Sequence, residues 1–268
     1  MAVQLNTQKR GDGFVYPETG RSVEGDFLYQ LPYSHTVEHA DREPLDDSFR
    51  RSVGGLIIHM LGLLYQSRCQ FWNWWAEGRL KVGDSKIAWF TDEDTSVSTI
   101  LVTALKSWNS WPAEARRMYV NSLWHHSRIA SYHWDWERFL MAFVVTDSLW
   151  ALVRRVKSVA KPKRRASMRK LSGIEILANH YGIIDHPEFL RLFVRLRNDF
   201  FHQALWDRGH LGDPGSYDAF LAEIRLRRFN ERLLLAIAGV ECKFIHTDWL
   251  SLSPTELGTV TERRAGPG

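Results

Sequence analysis

The sequence predicts a mostly α-helical protein whose second half is an antiparallel bundle of four helices. Two observations carry this. From about residue 134 to 245, apolar residues recur at helical spacing in four successive runs, each bounded by capping residues, Gly or Pro. Strand signals are confined to short aromatic pieces in the first ninety residues. The expected organisation is a helical, Trp-rich region with a few short strands (1–132), the bundle (133–250) and a flexible tail (251–268).

Residues 1–44 show no helical period. Gly11, Gly13, Pro17, Gly20, Gly25, Pro32 and Pro44 punctuate them, so they read as an extended arm or a small β element with pieces at Phe14–Tyr16 and Phe27–Tyr29. Asp46, Asp47 and Ser48 supply acidic and capping residues before an apolar run from Phe49 to about Glu77. Gly54, Gly55 and Gly62 weaken that helix by about 1 kcal/mol each relative to Ala. Ile87–Phe90 reads as a possible strand. Helices are expected over Thr95–Trp108 and from Pro112 through His125, where proline suits a helix start.

In the second half, Phe139, Phe143, Thr146, Trp150 and Val153 form one face of a helix running from Trp136 to about Lys157. A short helix opens at Ser172-Gly173. Asp185-His186-Pro187-Glu188 then starts a longer one, with Asp185 as the acidic N-cap candidate, extending to about Trp206. Asp213-Pro214-Gly215 is turn chemistry. A last helix is expected from Tyr217 to about Cys242, with Phe220, Ile224, Leu226, Leu233, Leu234 and Ile237 as its apolar residues, and a frayed tail after Pro254.

Composition narrows the class of protein. Of the 268 residues, 44% are hydrophobic and 25% charged, ordinary for a globular chain. The 12 Trp concentrate between Trp72 and Trp150, where ten of them lie, and demand burial internally or against a partner. Cys69 and Cys242 are too few and too distant for a disulfide scaffold or a thiolate metal site. The apolar segments near Val53–Tyr65 and Phe139–Val153 fall short of the roughly 20 residues of a membrane span, and no signal peptide opens the chain. The expected location is therefore the cytoplasm. No phosphate-binding loop or dinucleotide fingerprint is present, and no cofactor is expected. His35-Thr-Val-Glu38-His39 matches the zinc pattern of inverted zinc peptidases. That pattern needs a helix, and Pro32 and Pro44 leave barely two turns, so no metal site is assigned.

The chemistry concentrates in Leu192-Phe-Val-Arg-Leu-Arg197-Asn198-Asp-Phe-Phe-His202. An Arg, a polar neighbour and a His late in the third helix of a four-helix unit resemble the signature of the HEPN superfamily, and most closely its Apea-like branch. The resemblance covers about residues 134–245. It implies a two-fold dimer lining one cleft and an endoribonuclease that cuts RNA, such as tRNA or mRNA, without metal to leave a 2′,3′-cyclic phosphate. It also implies service as a toxin or antiviral defence effector, with residues 1–132 binding a trigger or restraining the nuclease.

The residue types suit that reaction, because the ribose 2′-OH is a nucleophile already in place. What the protein must add is a proton-transfer group and a cation. Imidazole titrates near neutrality, which fits His202 for the first task. A planar, permanently charged guanidinium fits Arg197 for the second. Asn198 lies four residues before His202, within reach of orienting its ring. Arg197 and His202 themselves diverge by about 140° around an ideal helix, so a site shared between two chains is one way to unite them. Members of the family often carry an acidic or polar residue on the first bundle helix, and Asp147 stands there, able to hold Arg197 or polarise His202. A plain RNA-binding or scaffolding module remains the alternative.

The segment Lys157–Lys170 holds seven Lys/Arg and no acid. With Arg154 and Arg155 before it, its Lys161, Lys163, Arg164, Arg165, Arg169 and Lys170 form the expected contact to an RNA backbone.

Overall fold

The computed structural model describes residues 2–5, 8–10, 13–15, 35–38, 51–64, 93–156, 173–213, 215–251 and 257–263. Among them the protein is mostly helical. Seven α-helices are α1 (Val53–Leu64), α2 (Glu93–Asn109), α3 (Ala113–Arg128), α4 (Asp135–Val156), α5 (Gly173–Tyr181), α6 (Pro187–Gln203) and α7 (Tyr217–Ile237). Six short strands pair antiparallel two by two: β1 (Ala2–Leu5) with β4 (His35–Glu38), β2 (Gln8–Arg10) with β3 (Gly13–Val15), and β5 (Val240–Glu241) with β6 (Thr261–Glu262). The His35–Glu38 segment is thus a strand and not the helix a paired-His zinc site needs. The segments at 27–29 and 87–90, and the apolar run beyond residue 64, lie outside the described residues.

The middle helices end where their chemistry directs. Pro112 is the extended N-cap of α3. The Glu137 carboxylate accepts the N–H groups of His133 and Trp134 at 3.2 and 3.0 Å and secures the start of α4. At α6 the sequence pointed to Asp185 as N-cap. The residue in that place is His186, which makes no capping bond because its ring is engaged with Asp248 at 2.9 Å. Ser216 caps α7 by accepting from the Ala219 N–H.

Helix α4 is the centre of the packing. It lies most extensively against α3 and α7, and also touches α5 and α6. Phe139, Val145, Leu149 and Leu152 are fully buried on it. The apolar cluster runs without a break from Leu56 on α1 to Leu257, crossing residue 132. Polar cross-links pin α7 to its neighbours inside this core. Thr146 donates to Asn230 Oδ1 at 2.8 Å, Asn230 donates to the Ala142 carbonyl at 2.8 Å, and Tyr119 donates to the Leu234 carbonyl at 2.8 Å.

Two expectations about the C-terminal part are corrected. Helix α7 stops at Ile237, not near Cys242, because Gly239 turns into the left-handed region at φ 85° and releases the chain into β5. Residues 257–263 are held, not frayed. Leu257 is buried, the Arg263 N–H donates to the Gly239 carbonyl, and its guanidinium donates to the Tyr181 carbonyl at 2.7 Å. Between them, Trp249 is fully buried amid Phe189, Phe193 and Phe229, and its indole N–H donates to the Ile184 carbonyl at 2.8 Å.

Candidate functional site

Helix α6 carries the Arg197-Asn198-x3-His202 segment and has one firmly buried stripe, Leu190, Phe193 and Leu196. Phe193 meets Phe139 of α4, and the half-buried Phe200 stacks on Trp136 at 5.4 Å. This packing fixes the helix rotation, and the motif residues fall to either side of it. Arg197 leans toward α4, where its guanidinium lies over the rings of Phe143 (5.9 Å) and Phe201 (5.1 Å). It donates to Asn198 Oδ1 at 3.0 Å. His202 is exposed in the last turn, and no side chain or carbonyl among the described residues bonds it.

The expected orienting bond from Asn198 to His202 is therefore absent. The carbonyl oxygen of Asn198 faces its other neighbour, Arg197, whose stronger charge-assisted donor takes it. Asp147 is exposed on α4 near Arg197. Its carboxyl is raised above the ordinary 3.8 by partial loss of water, with the Arg197 charge pulling it the other way. The two are not in contact as an ion pair, so Asp147 acts on Arg197 through space. One chain thus sets Asp147 and Arg197 on one side of α6 and His202 on the other, as the helical spacing requires, with Asn198 on the His202 stripe turning its amide toward Arg197. Beside the Arg197 group, Val144 and Phe201 present apolar surface, 40% and 55% exposed.

Of the residues expected to bind RNA, Arg155 is engaged within the fold. It pairs with Glu114 of α3 at 3.0 Å and reaches the Met118 sulfur, which removes it from the free cations. Arg154 lies over Trp150 at 5.8 Å and has no acidic partner among the described residues. Lys161, Lys163, Arg164, Arg165, Arg169 and Lys170 lie outside the described residues.

Sequence reading missed the tight turn that follows α6. After α6 ends at the left-handed Ala204, residues Trp206 to Gly209 form a tight turn with Asp207 (φ 47°) and Arg208 (φ 68°) both left-handed. Positive φ at both central residues is the geometry of a type I′ turn, usually filled by Asn or Gly. The Asp207 carboxylate holds it, accepting from Arg195 Nη2 at 2.9 Å and from the Ser216 N–H at 2.8 Å. Partial burial works to raise this carboxyl, but the hydrogen bonds from Ser216 and Arg195 prevail and keep it below 3.8. The Asp207-Arg208-Gly209 triplet was the available signal, since Asp and Gly mark such turns.

A second unforeseen feature is a buried polar network on α7. Glu231 (3% exposed) faces His126 of α3 at 3.8 Å, and Glu223 faces Arg138 of α4 at 3.7 Å and Arg227 at 3.4 Å. Arg232, fully buried, donates to the carbonyls of Arg228 and Thr247 and to the Thr247 hydroxyl. The carboxylates are met by cations of neighbouring elements and Arg232 by carbonyls and a hydroxyl of the chain around it, the pattern of an internal scaffold.

No known family model, curated protein or solved structure matches this chain. Among the described residues no helix is long and apolar enough to cross a membrane, and no cluster of His, Cys, Asp or Glu is arranged to hold a metal ion.

Proposed function

We propose that this chain is a HEPN-type endoribonuclease that acts as a homodimer and needs no metal. The observation carrying the reading is the opposed placement of the two reactive groups on a rigidly packed α6. His202 stands free at the surface, while Arg197 is held beside exposed Phe201 and Val144. An apolar patch with a cation at its edge suits a two-fold contact, and a two-fold axis near α6 would bring Arg197 of one chain to His202 of the other. At the joint site the RNA 2′-OH attacks the neighbouring phosphorus as imidazole takes its proton. The guanidinium stabilises the charge on the phosphorane oxygens, and the P–O5′ bond breaks with a proton returned to the 5′-oxygen. The products are a 2′,3′-cyclic phosphate and a 5′-hydroxyl. A toxin or antiviral role, with residues 1–132 restraining cleavage, fits such an activity.

The second reading, a HEPN-like RNA-binding or scaffolding module without cleavage, is favoured by one observation: Asn198 attends to Arg197 and leaves His202 unoriented. Cellular RNA incubated in excess EDTA separates the two. The nuclease cuts it with cyclic-phosphate ends, and Arg197→Ala and His202→Ala each abolish cutting. Mixing and re-equilibrating these two inactive variants restores roughly a quarter of the wild-type rate, since half the dimers are mixed and each mixed dimer keeps one of two sites whole. No restoration refutes the shared site, and absence of cutting by the wild type leaves the binding module.

A further inference from the structure

The polar stripe of α6 continues well away from His202. Counting back in helical steps, Asn198, Arg195, Arg191 and Glu188 share the His202 face, and Arg191 lies about 16 Å along the axis from it. Beside this stripe is a groove of about 360 Å³, formed by Glu188, Phe189, Arg191, Leu192 and Arg195 with Ser216 and Asp218 at the start of α7. Its volume is that of a small-molecule site.

We infer that this groove is a nucleotide subsite for the RNA strand that passes His202, one that prefers guanine over uracil; this rests on the reading of the protein as an RNA nuclease. Three features specify the ligand. The lining includes apolar surface, Phe189 and Leu192, and the Arg225 guanidinium lies over the Phe189 ring at 4.3 Å, so ring and guanidinium plane form one stacked platform. Such a surface takes a stacked base. The rim holds one cation with capacity to spare. Arg191 uses only its Nε, on the Pro187 carbonyl, and its terminal nitrogens meet no acceptor among the described residues, which suits them to a phosphate. Arg195, by contrast, is fixed by Asp207 at 2.9 Å and Asp199 at 3.7 Å and serves to shape the wall.

The rim also carries two exposed carboxylates, Glu188, 3.9 Å from His186, and Asp218, paired with Arg225 at 2.8 Å. Carboxylates reject a plain polyanion and accept from N–H donors. Guanine offers two adjacent donors, N1–H and the N2 amino group, on its Watson–Crick edge, whereas uracil offers one N–H between two carbonyls. Glu188 is the freer of the two acids, so the geometry assigns it the base edge. Arg191 takes the phosphate of the same nucleotide.

The test uses the full chain and uncleavable 2′-O-methyl hexamers, all-uridine or with a single guanosine, with binding read by fluorescence anisotropy across a salt series. The wild type should bind the guanosine hexamer about tenfold more tightly. Glu188→Gln should erase that preference and leave all-uridine binding in place. Arg191→Ala should weaken both hexamers and flatten the log–log salt slope by about 0.7, the share of one phosphate on a single strand. Both side chains are exposed, so unchanged melting temperatures will verify folding. Equal binding of the two hexamers by the wild type, or variants that behave like it, overturns the subsite. Cleavage of RNA in EDTA is scored separately. Cleavage without guanosine preference refutes the subsite alone, preference without cleavage refutes the nuclease alone, and absence of both refutes both.

Discussion

Replacing Asp207 tests whether the turn after α6 is held by its carboxylate. Its carboxylate, 10% exposed, accepts one hydrogen bond from Arg195 and one from the Ser216 backbone. A hydrogen bond involving a charged group contributes about 1.5–3 kcal/mol. Arg195 is 34% exposed and regains water when its partner leaves, so the two bonds together fall toward the lower end. Asp207→Ala should cost about 2–4 kcal/mol, including a left-handed φ that Ala tolerates less well than Asp. For a chain of this size that is a fall in Tm of about 5–15 °C. Asp207→Asn, which keeps an acceptor for Ser216, should cost about half as much. The pH dependence has a definite sign. The folded carboxyl lies below its ordinary 3.8, so its contribution is complete above that value and disappears as pH falls through the folded pKa. The Tm gap between wild type and Asp207→Asn, followed by circular dichroism, should stay constant from neutral pH to about 5 and close below about 4. A gap under about 0.5 kcal/mol at neutral pH, or one that widens on acidification, would refute the assignment.

The neighbouring residue offers the opposite experiment. Arg208, exposed and left-handed, should gain about 0.5–1 kcal/mol when changed to Gly, measured by urea unfolding; a loss would mean that its side chain contributes a contact. Gly239→Ala should destabilise by about 2 kcal/mol or more, because its φ of 85° disfavours a side chain and the new Cβ would stand 2.5 Å from Ser107 Oγ. The double change Gly239→Ala with Ser107→Ala should recover the steric part only. His202→Ala, at an exposed and unpartnered residue, should shift stability by less than about 0.5 kcal/mol, and a larger loss in calorimetry would mark His202 as structural.

The helices were largely legible in the sequence because their signals are local. The spacing of Phe139, Phe143 and Val153, Pro at the head of α6, and Ser216 before α7 act within a turn or two of chain. What escaped is what depends on distant partners. The apolar residues of α7 suggested Phe220 for the core, yet Phe220 is 48% exposed, and Asn230, Glu231 and Arg232 are buried instead. The second half of α7 is enclosed by α3, α4 and residues 243–249, so its polar side must be buried too and is satisfied by Thr146, His126 and Thr247. At the candidate site, the divergence of Arg197 and His202 follows from spacing alone. The choice of Asn198 between them, and the Asp207 support, emerge only when the chain is folded.

The cross-links from α4 to Asn230 and from Phe193 to Trp249 also fix an order of events during synthesis. Chains emerge from the ribosome N-terminus first, at about 5–20 residues per second. When His202 has left the ribosome, α6 still lacks Trp249 beneath it and α4 still lacks its α7 partner. The packing that fixes the rotation of α6, and with it the positions of Arg197 and His202, closes only after these later residues arrive, so a nascent chain exposes the motif seconds before its helix is held in place.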